Sequence, residues 1–568
     1  MKKTAYLLLF AAASASAQNL STEITVDRTV VPAERAATRP ASVHPSIAAA
    51  TIEPARLDLA EYTGLGTVTR SASVLAPAAW ADTFALSPYR GYATLGYFPV
   101  YNLAVSAGYD ILRNADTRLG LWGQFDGTSY KAPDEYSCPD KLSYNIGTIG
   151  ANFDHRFGHA GVLTTSASYG FGGVNSPEGD PYRTLGMADV DVAWYGRAGR
   201  VGYHADAFLH TFGYSPRKEL LGAGARPDGT ELRYGAALGV IGRIGDRHNH
   251  SRLGLELKAD MLSRPAVYTG SYPRLETAAG TIGLVSATPY FAFGGNSGAS
   301  MKLGARIDIA TGGEGKTLHV APDVLLSYSA RAISVYARAG GGEVLNSERS
   351  IFDITPFAPT GVRYGRSHVP VVVEAGVNIG PFAGASVEIF GGWAKANDWL
   401  MINGYYTTAN GSSEDEGFGG GFAAADISGA HVGLRASYDW RDVVSVSATA
   451  EFAPNSRNGA WYLWRDRAKT SVKAEASVRP IDRLELTAAY ELRSGRRASE
   501  LFFADESATP VLRSMKSLSK LDFGARFSVS EALDVFARGE NLTGKRCDII
   551  PGVPSQGVHG LVGATFKF

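Results

Sequence analysis

Cysteine is almost missing from these 568 residues, with Cys138 and Cys547 the two present. Two cysteines can form one bridge but not a disulfide framework, so covalent staples do not hold the fold. Outside the first residues there is no stretch of 18 or more apolar residues, which excludes a transmembrane helix. Neither sign of charge is in excess: 55 basic residues face 55 acidic ones, and charged residues make up only 19% of the chain. Such a chain presents no basic field for nucleic acid. The glycine runs Gly340-Gly341-Gly342 and Gly419-Gly420-Gly421 lack the following Lys-Ser/Thr helix start, so they are not phosphate cradles. No serine or cysteine nucleophile stands in a recognisable catalytic motif, and no cofactor is expected.

The chain begins with basic Met1-Lys2-Lys3, an apolar Ala5–Ala13 and small Ala15-Ser16-Ala17. This order predicts a signal peptide over 1–17, with Gln18 starting the mature chain. No cysteine sits at the cleavage point, so a lipid anchor is not expected. An exported chain with neither helix nor lipid anchor is soluble in the periplasm, secreted, or a β-barrel.

What the sequence does hold favours the barrel. Glycine is abundant (66), as are aromatics (25 Phe, 27 Tyr and 8 Trp), a mixture suited to tight turns and interfacial aromatic girdles. Arg252–Met261 alternates Leu253, Leu255, Leu257, Ala259 and Met261 against Arg252, Gly254, Glu256, Lys258 and Asp260. Lys302–Ile309 sets Leu303, Ala305, Ile307 and Ile309 against Lys302, Arg306 and Asp308, and Leu484–Arg493 repeats the pattern. Runs of about 9–11 residues suit membrane-spanning strands, whereas sandwich strands are nearer five or six.

Connections alternate short and long. Short ones are expected near 113–117, 156–161, 197–201, 244–251, 294–299, 329–332, 379–382, 439–442, 479–483 and 529–533. Long ones are expected near 128–142, 172–186, 213–230, 264–279, 311–317, 341–369, 394–430, 453–465, 494–516 and 541–557. Counting between them gives 21 strands from residue 102, and Tyr92–Tyr97 with a tight turn at Phe98–Asn102 makes 22. The predicted fold is therefore all-β: a large antiparallel transmembrane barrel over 89–568 after a short extended segment, 18–88. With strands about 4.8 Å apart and tilted about 40°, the barrel is about 45 Å across. Side chains alone cannot fill such a bore. Residues 18–88 are expected to enter it as a Pro-broken extended chain, with inward-folded outer loops or a partner completing the closure.

The tail Gly560–Phe568 places Val562, Ala564, Phe566 and terminal Phe568 on one face. This resembles the sorting signal read by the barrel-assembly machinery of the outer membrane in Gram-negative bacteria, with Phe566 and Phe568 as the aromatic signal. Leu533-Asp534-Val535-Phe536-Ala537-Arg538-Gly539-Glu540-Asn541-Leu542, then Pro551-Gly552, Gly563 and Phe568, resemble the C-terminal hairpin of TonB-dependent receptors. Pro480–Arg497 is similar to that family's penultimate hairpins. The resemblance implies a 22-stranded barrel in outer-membrane lipid, energised uptake of iron chelates, vitamin B12 or glycans, and a periplasmic contact with TonB. Thr22-Glu23-Ile24-Thr25-Val26 is similar to a Ton box. The family also carries a folded plug ahead of the barrel. Here only 18–88 is available, about half the needed length and interrupted by Pro32, Pro40, Pro45, Pro54, Pro77 and Pro88, so a full plug is not expected.

Candidate site residues follow from this arrangement. Arg252, Glu256, Lys258, Asp260, Lys302, Arg306 and Asp308 are expected to line the lumen, where charges of both signs guide a solute or pair with each other. His204, Asp206 and His210 share one face of 201–212, suiting metal binding, proton transfer or packing. His248-Asn249-His250 falls in a short turn, where solvation explains it. Trp399, Tyr405 and Tyr406 mark a candidate ligand loop or an outer aromatic girdle. Cys138 and Cys547 lie in outer loops on either side of the barrel seam and are candidates for one disulfide. The leading functional expectation is passage of a small solute across the outer membrane. The alternatives are a non-transporting scaffold for an envelope complex and, third, an outer-membrane enzyme.

Overall fold

The protein is described by a computed structural model covering residues 89–99, 101–133, 141–158, 160–175, 183–216, 229–244, 251–264, 280–294, 298–312, 317–354, 356–357, 365–402, 406–408, 416–417, 422–441, 443–453, 468–504, 507–550 and 553–568. In chain order the strands are β1 (Gly91–Phe98), β2 (Asn102–Arg113), β3 (Thr117–Lys131), β4 (Lys141–Arg156), β5 (Val162–Val174), β6 (Arg183–Ala198), β7 (Val201–Pro216), β8 (Gly229–Ile244), β9 (Ser251–Arg264), β10 (Gly280–Gly294), β11 (Ala299–Thr311), β12 (Thr317–Ala330) and β13 (Ile333–Leu345). A short helix α1 (Glu348–Ile354) follows. Then come β14 (Arg366–Phe382), β15 (Ala385–Ile402), β16 (Tyr406–Thr408), β17 (Glu416–Gly417), β18 (Phe422–Trp440), β19 (Val444–Phe452), β20 (Thr470–Ile481), β21 (Leu484–Ser494), β22 (Arg497–Ala504), β23 (Ser507–Ser514), β24 (Leu518–Ser528), β25 (Leu533–Glu540), β26 (Asp548–Ile550), β27 (Val553–Pro554) and β28 (His559–Lys567).

Twenty-two of these form one sheet; β16, β17, β22, β23, β26 and β27 belong to two small sheets in the long connections. Each barrel strand pairs antiparallel with the next. β28 pairs back on β1 from Tyr92↔Lys567 to Tyr97↔Val562, so the barrel is closed. No helix among the described residues is long and apolar enough to cross a membrane, and the expected 22-strand all-β barrel is what the chain forms.

The alternation assigned from sequence matches the burial. On β9 the outward Leu253, Leu255 and Leu257 are exposed, while Asp260 on the opposite face is 2% exposed. On β11, Leu303 and Ile309 face outward and Asp308 is buried. On β28, Val562 and Phe566 are exposed and Thr565 is buried, and Phe568 just beyond it is exposed too. Outward aromatics gather near the short-turn end (Tyr109, Tyr195, Tyr328, Trp440, Phe566) and again toward the other end (Tyr97, Tyr169, Phe171, Trp393), with aliphatic side chains between. Two girdles around an apolar band are what a bilayer selects.

Short and long connections alternate as expected except that 312–316, on the long side, is shorter than 245–250 on the short side, and two bounds are corrected. The turn read at 379–382 lies at Ala383-Gly384. Those two residues take left-handed φ values of 49° and 90°, which closes a two-residue hairpin, and β14 continues through Phe382. The long connection read as 394–430 is shorter, because β15 and β18 stay paired as far as Ile402↔Phe422. A bulge between Ala396 and Trp399 shifts the register there, with Asp398 at φ 49°. It interrupts the alternation without ending the ladder.

The described part of the next connection, 346–354 with 356–357, folds into the bore. After β13, α1 lies against the luminal face of strands far from its own. Glu231 of β8 accepts the backbone N–H of Glu348 at 2.9 Å and of Arg349 at 3.4 Å. The Arg349 guanidinium reaches Asp189 of β6 at 3.5 Å. Phe352 and Phe357, each 5% exposed, join Leu142, Ile146, Leu185, Met187, Phe212 and Tyr214 in an apolar cluster on the luminal side of β4, β6 and β7. Val553 of the last long connection enters the same cluster, and Tyr130 donates to the Pro554 carbonyl at 2.9 Å.

Candidate functional site

The luminal wall is polar, and its charges are largely paired strand to strand. On β8 to β11, Arg233 donates to both oxygens of Asp260 from one guanidinium edge, Nη2 at 2.7 and Nε at 3.0 Å, and Lys258 stands 3.4 Å away. One strand pair along, Arg306 and Ser286 both donate to Asp308, at 2.9 and 2.5 Å. Lys302 pairs with Asp323 at 2.6 Å and lies 4.5 Å above the Tyr290 ring. A carboxylate removed from water to this degree is held only with charged or hydrogen-bonded partners, which explains the close positive neighbours. A second group lies on β13 to β18. The Tyr336 hydroxyl stands 2.6 Å from Glu388 and 3.0 Å from Glu374, which Arg435 and Arg338 bind at 2.6 and 2.7 Å. A third, near the seam, gathers Arg538, His559 and Lys520 around Glu540 at 2.8, 3.1 and 3.4 Å.

Above the Arg306–Asp308 pair, three more side chains converge. The β12–β13 ladder ends at Val324↔Ala339, although both strands continue. Beyond that point the β13–β14 register shifts, with Gly341 of β13 standing against Pro370 and Val371 of β14, and Gly342 takes φ 135°, a backbone conformation natural only to glycine. Past this irregularity Glu343 turns to the luminal face, where it lies opposite His368 of β14. Its backbone N–H donates to Asp308 Oδ2 at 2.7 Å and its carbonyl accepts from Arg306 at 3.1 Å. The buried Glu343 Oε1 meets His368 Nδ1 at 3.1 Å and, closer still, His319 Nδ1 of β12. The two imidazoles stack with centroids 3.9 Å apart. Among the described residues, these are the three whose ligand atoms converge as those around a metal ion do.

The residues singled out from sequence fall as follows. Lys258, Asp260, Lys302, Arg306 and Asp308 line the lumen within the pairs above, and Arg252 and Glu256 share the luminal face of β9 with them. His204, Asp206 and His210 share the luminal face of β7. His204 is 3.9 Å from Asp206, but His210 turns instead to Asp191 of β6 at 3.0 Å, so the three do not form one cluster. Trp399 is 4% exposed near the upper end of β15, opposite Ala425, not on an open loop. Tyr406 begins β16, while Tyr405 lies outside the described residues. Cys547 is buried, with Sγ 3.9 Å from Ser555 Oγ. Cys138, His248, His250, the Ton-box-like segment, the signal peptide and all of 18–88 also lie outside the described residues. Phe568 stacks on Tyr109 and Phe566 at 6.1 and 6.0 Å, and its carbonyl accepts N–H bonds from Arg90 and Gly91. The inward loop with Phe352 and Phe357, and the His319–Glu343–His368 group, were not among the residues expected from sequence.

No protein-family model and no curated protein sequence matches the chain. Solved structures do. A ferric enterobactin receptor (PfeA) from Pseudomonas aeruginosa is 12% identical at a TM-score of 0.61, over 84% of this chain and 80% of that one. The FrpB iron transporter from Neisseria meningitidis is 12% identical at 0.62, over 85% and 82%. FpvA of P. aeruginosa, solved bound to heterologous pyoverdines, is 10% identical at 0.61, over 84% and 72%. Closed 22-strand topology, girdled outer face and this likeness agree with the C-terminal resemblance: in fold, the chain is an outer-membrane type β-barrel of the kind built by TonB-dependent receptors.

Proposed function

We propose that the barrel sits in the outer membrane of a Gram-negative bacterium and mediates passage of a small solute, with the connection 346–365 as part of its gate. The observation that carries this reading is the bore itself, a closed wall lined by charges of both signs with α1 docked on its inner face. An inert scaffold has no need of a polar lumen with a separate closure on it. The likeness to iron transporters and siderophore receptors supports the same reading at the level of fold. TonB is the natural periplasmic partner on that likeness, with Thr22–Val26 as the segment to engage it. The luminal residues act by exchanging one charged partner for another as a solute moves past, and no bond to the solute need be made or broken.

The test compares a strain lacking the chain with one expressing it, following entry of labelled chelates, sugars and metal salts, with and without TonB. Conductance of the purified barrel lacking 346–365 is measured in parallel. Entry of at least one solute class that depends on the chain, together with a conducting loop-deleted barrel, is expected. Uptake that is the same in both strains for every class, with a correctly folded loop-deleted barrel that stays closed, overturns the proposal.

A further inference from the structure

We propose that His319, Glu343 and His368 bind one divalent transition-metal cation of the zinc class on the luminal wall. Three features carry this. First, His319 Nδ1, His368 Nδ1 and Glu343 Oε1 are buried, have no partner outside their own group, and face one another. Two protonated imidazoles stacked at 3.9 Å repel, and neutral rings satisfy the carboxylate only as Nδ1–H tautomers that both donate to its one oxygen. A cation accepts all three lone pairs at once. Second, the neighbouring cations are engaged elsewhere: Arg306 by Asp308 and the Glu343 carbonyl, Arg366 by Thr317 Oγ1 at 2.9 Å. Neither guanidinium binds the Glu343 carboxylate in place of a metal ion. Third, Glu343 is 4% exposed and its backbone is fixed on both sides by Asp308 and Arg306, the outer support that holds a ligand carboxylate in place.

The donor set fixes the class of ion. Two imidazoles and one carboxylate suit zinc and its first-row neighbours, whereas calcium and magnesium require an oxygen shell. Ligands at about 2.1 Å in tetrahedral geometry lie about 3.4 Å apart, and the 3.1 Å between His368 and Glu343 is close to that spacing. Three protein ligands leave a position for water or solute, and His319 is about one-third exposed, so the ion exchanges with the bore. Binding of the ion does not depend on whether the barrel moves a solute.

The full chain, made without a polyhistidine tag and stripped with chelator, is titrated with zinc chloride against a chromogenic chelator. Cobalt chloride is used in parallel, since its visible absorption reports the ligand set. One equivalent should bind. His319→Ala, His368→Ala and Glu343→Gln should each weaken binding about ten-fold or more, the double histidine variant should abolish it, and His204→Ala/His210→Ala should leave it unchanged. Heat-modifiable gel migration confirms that each variant is a folded barrel, and near-isosteric Glu343→Gln and His368→Asn serve if the alanine variants do not fold. Absence of binding at one equivalent, or undiminished binding in the triad variants, overturns the assignment. Solute entry is not a readout here, so this outcome leaves the proposed passage function standing.

Discussion

Replacing Phe352 and Phe357 together by alanine should release the inward connection without harming the barrel. Both rings are 95% buried in a cluster formed with the luminal faces of other strands, Phe352 at 5.3 Å from the Phe212 ring and Phe357 edge-on to Tyr144 at 6.3 Å. Burying one such side chain contributes about 1.5–3 kcal/mol, so the pair supplies about 3 kcal/mol at the lower bound. At about 1.4 kcal/mol per tenfold, losing it raises the undocked population about a hundredfold. The remaining anchors are Glu231 on two N–H groups and the part-exposed Arg349–Asp189 pair; that pair is worth at most about 1 kcal/mol. The strand ladders are untouched, so thermal unfolding and gel migration should stay as in the parent. Planar-bilayer recordings should show large openings far more often in the Phe352→Ala/Phe357→Ala barrel. The comparison is made with and without residues 18–88, since that segment is the other expected closure. Unchanged opening frequency in both backgrounds refutes the gate.

Phe568→Ala should lower outer-membrane levels at unchanged synthesis, measured by fractionation; unchanged insertion counts against the sorting role of the terminal aromatic. Cys138 and Cys547 should resist a thiol reagent in the unfolded, unreduced protein and react after reduction, and labelling of both before reduction disposes of the bond. Gly342→Ala should destabilise the barrel by about 1–3 kcal/mol, the cost of a non-glycine residue in such a backbone, because φ is 135° and an added Cβ would stand 2.7 Å from the Arg306 guanidinium. A denaturation midpoint equal to that of Gly365→Ala, where nothing lies within 4 Å, would show the bulge to be dispensable.

Strand number and facing could be read from the sequence because a bilayer enforces them. Each outward position must be apolar and each inward one is free to be polar, so Leu253, Leu255 and Leu257 against Glu256, Lys258 and Asp260 state their own orientation. Turns were readable where glycine, asparagine or proline sits between two such runs, as at Asn114-Ala115-Asp116, where the Asn114 side chain accepts the N–H groups of Asp116 and Thr117. The docking of α1 and Phe357 was not readable, since Phe352 and Phe357 are apolar residues in a long loop and nothing local marks them as luminal. The histidine–glutamate group escaped for a sharper reason. Ile333 and Val335 face outward, so strict alternation along β13 also sends Glu343 outward. Only the register shift at Gly340/Gly342 reverses that parity.

That shift links the two features the alternation could not show. A barrel strand that keeps its ladder to the rim delivers its loop outward, over the mouth. Here β13 leaves β12 above Ala339, and its last residues lean toward β11, where the Glu343 backbone is bound by Asp308 and Arg306. Leu345 consequently packs with Leu262, Leu284 and Ala310 on the luminal side, and the chain enters the bore already directed across it toward Glu231. The same turn of the backbone carries the Glu343 carboxylate to the two histidines. A change in the ligands of Glu343 therefore acts on the root of the docked loop, six residues before Arg349 meets Asp189. The proposed cation site and the docked helix are thus built on one short piece of strand, and a cation held there would stiffen the segment from which the helix departs.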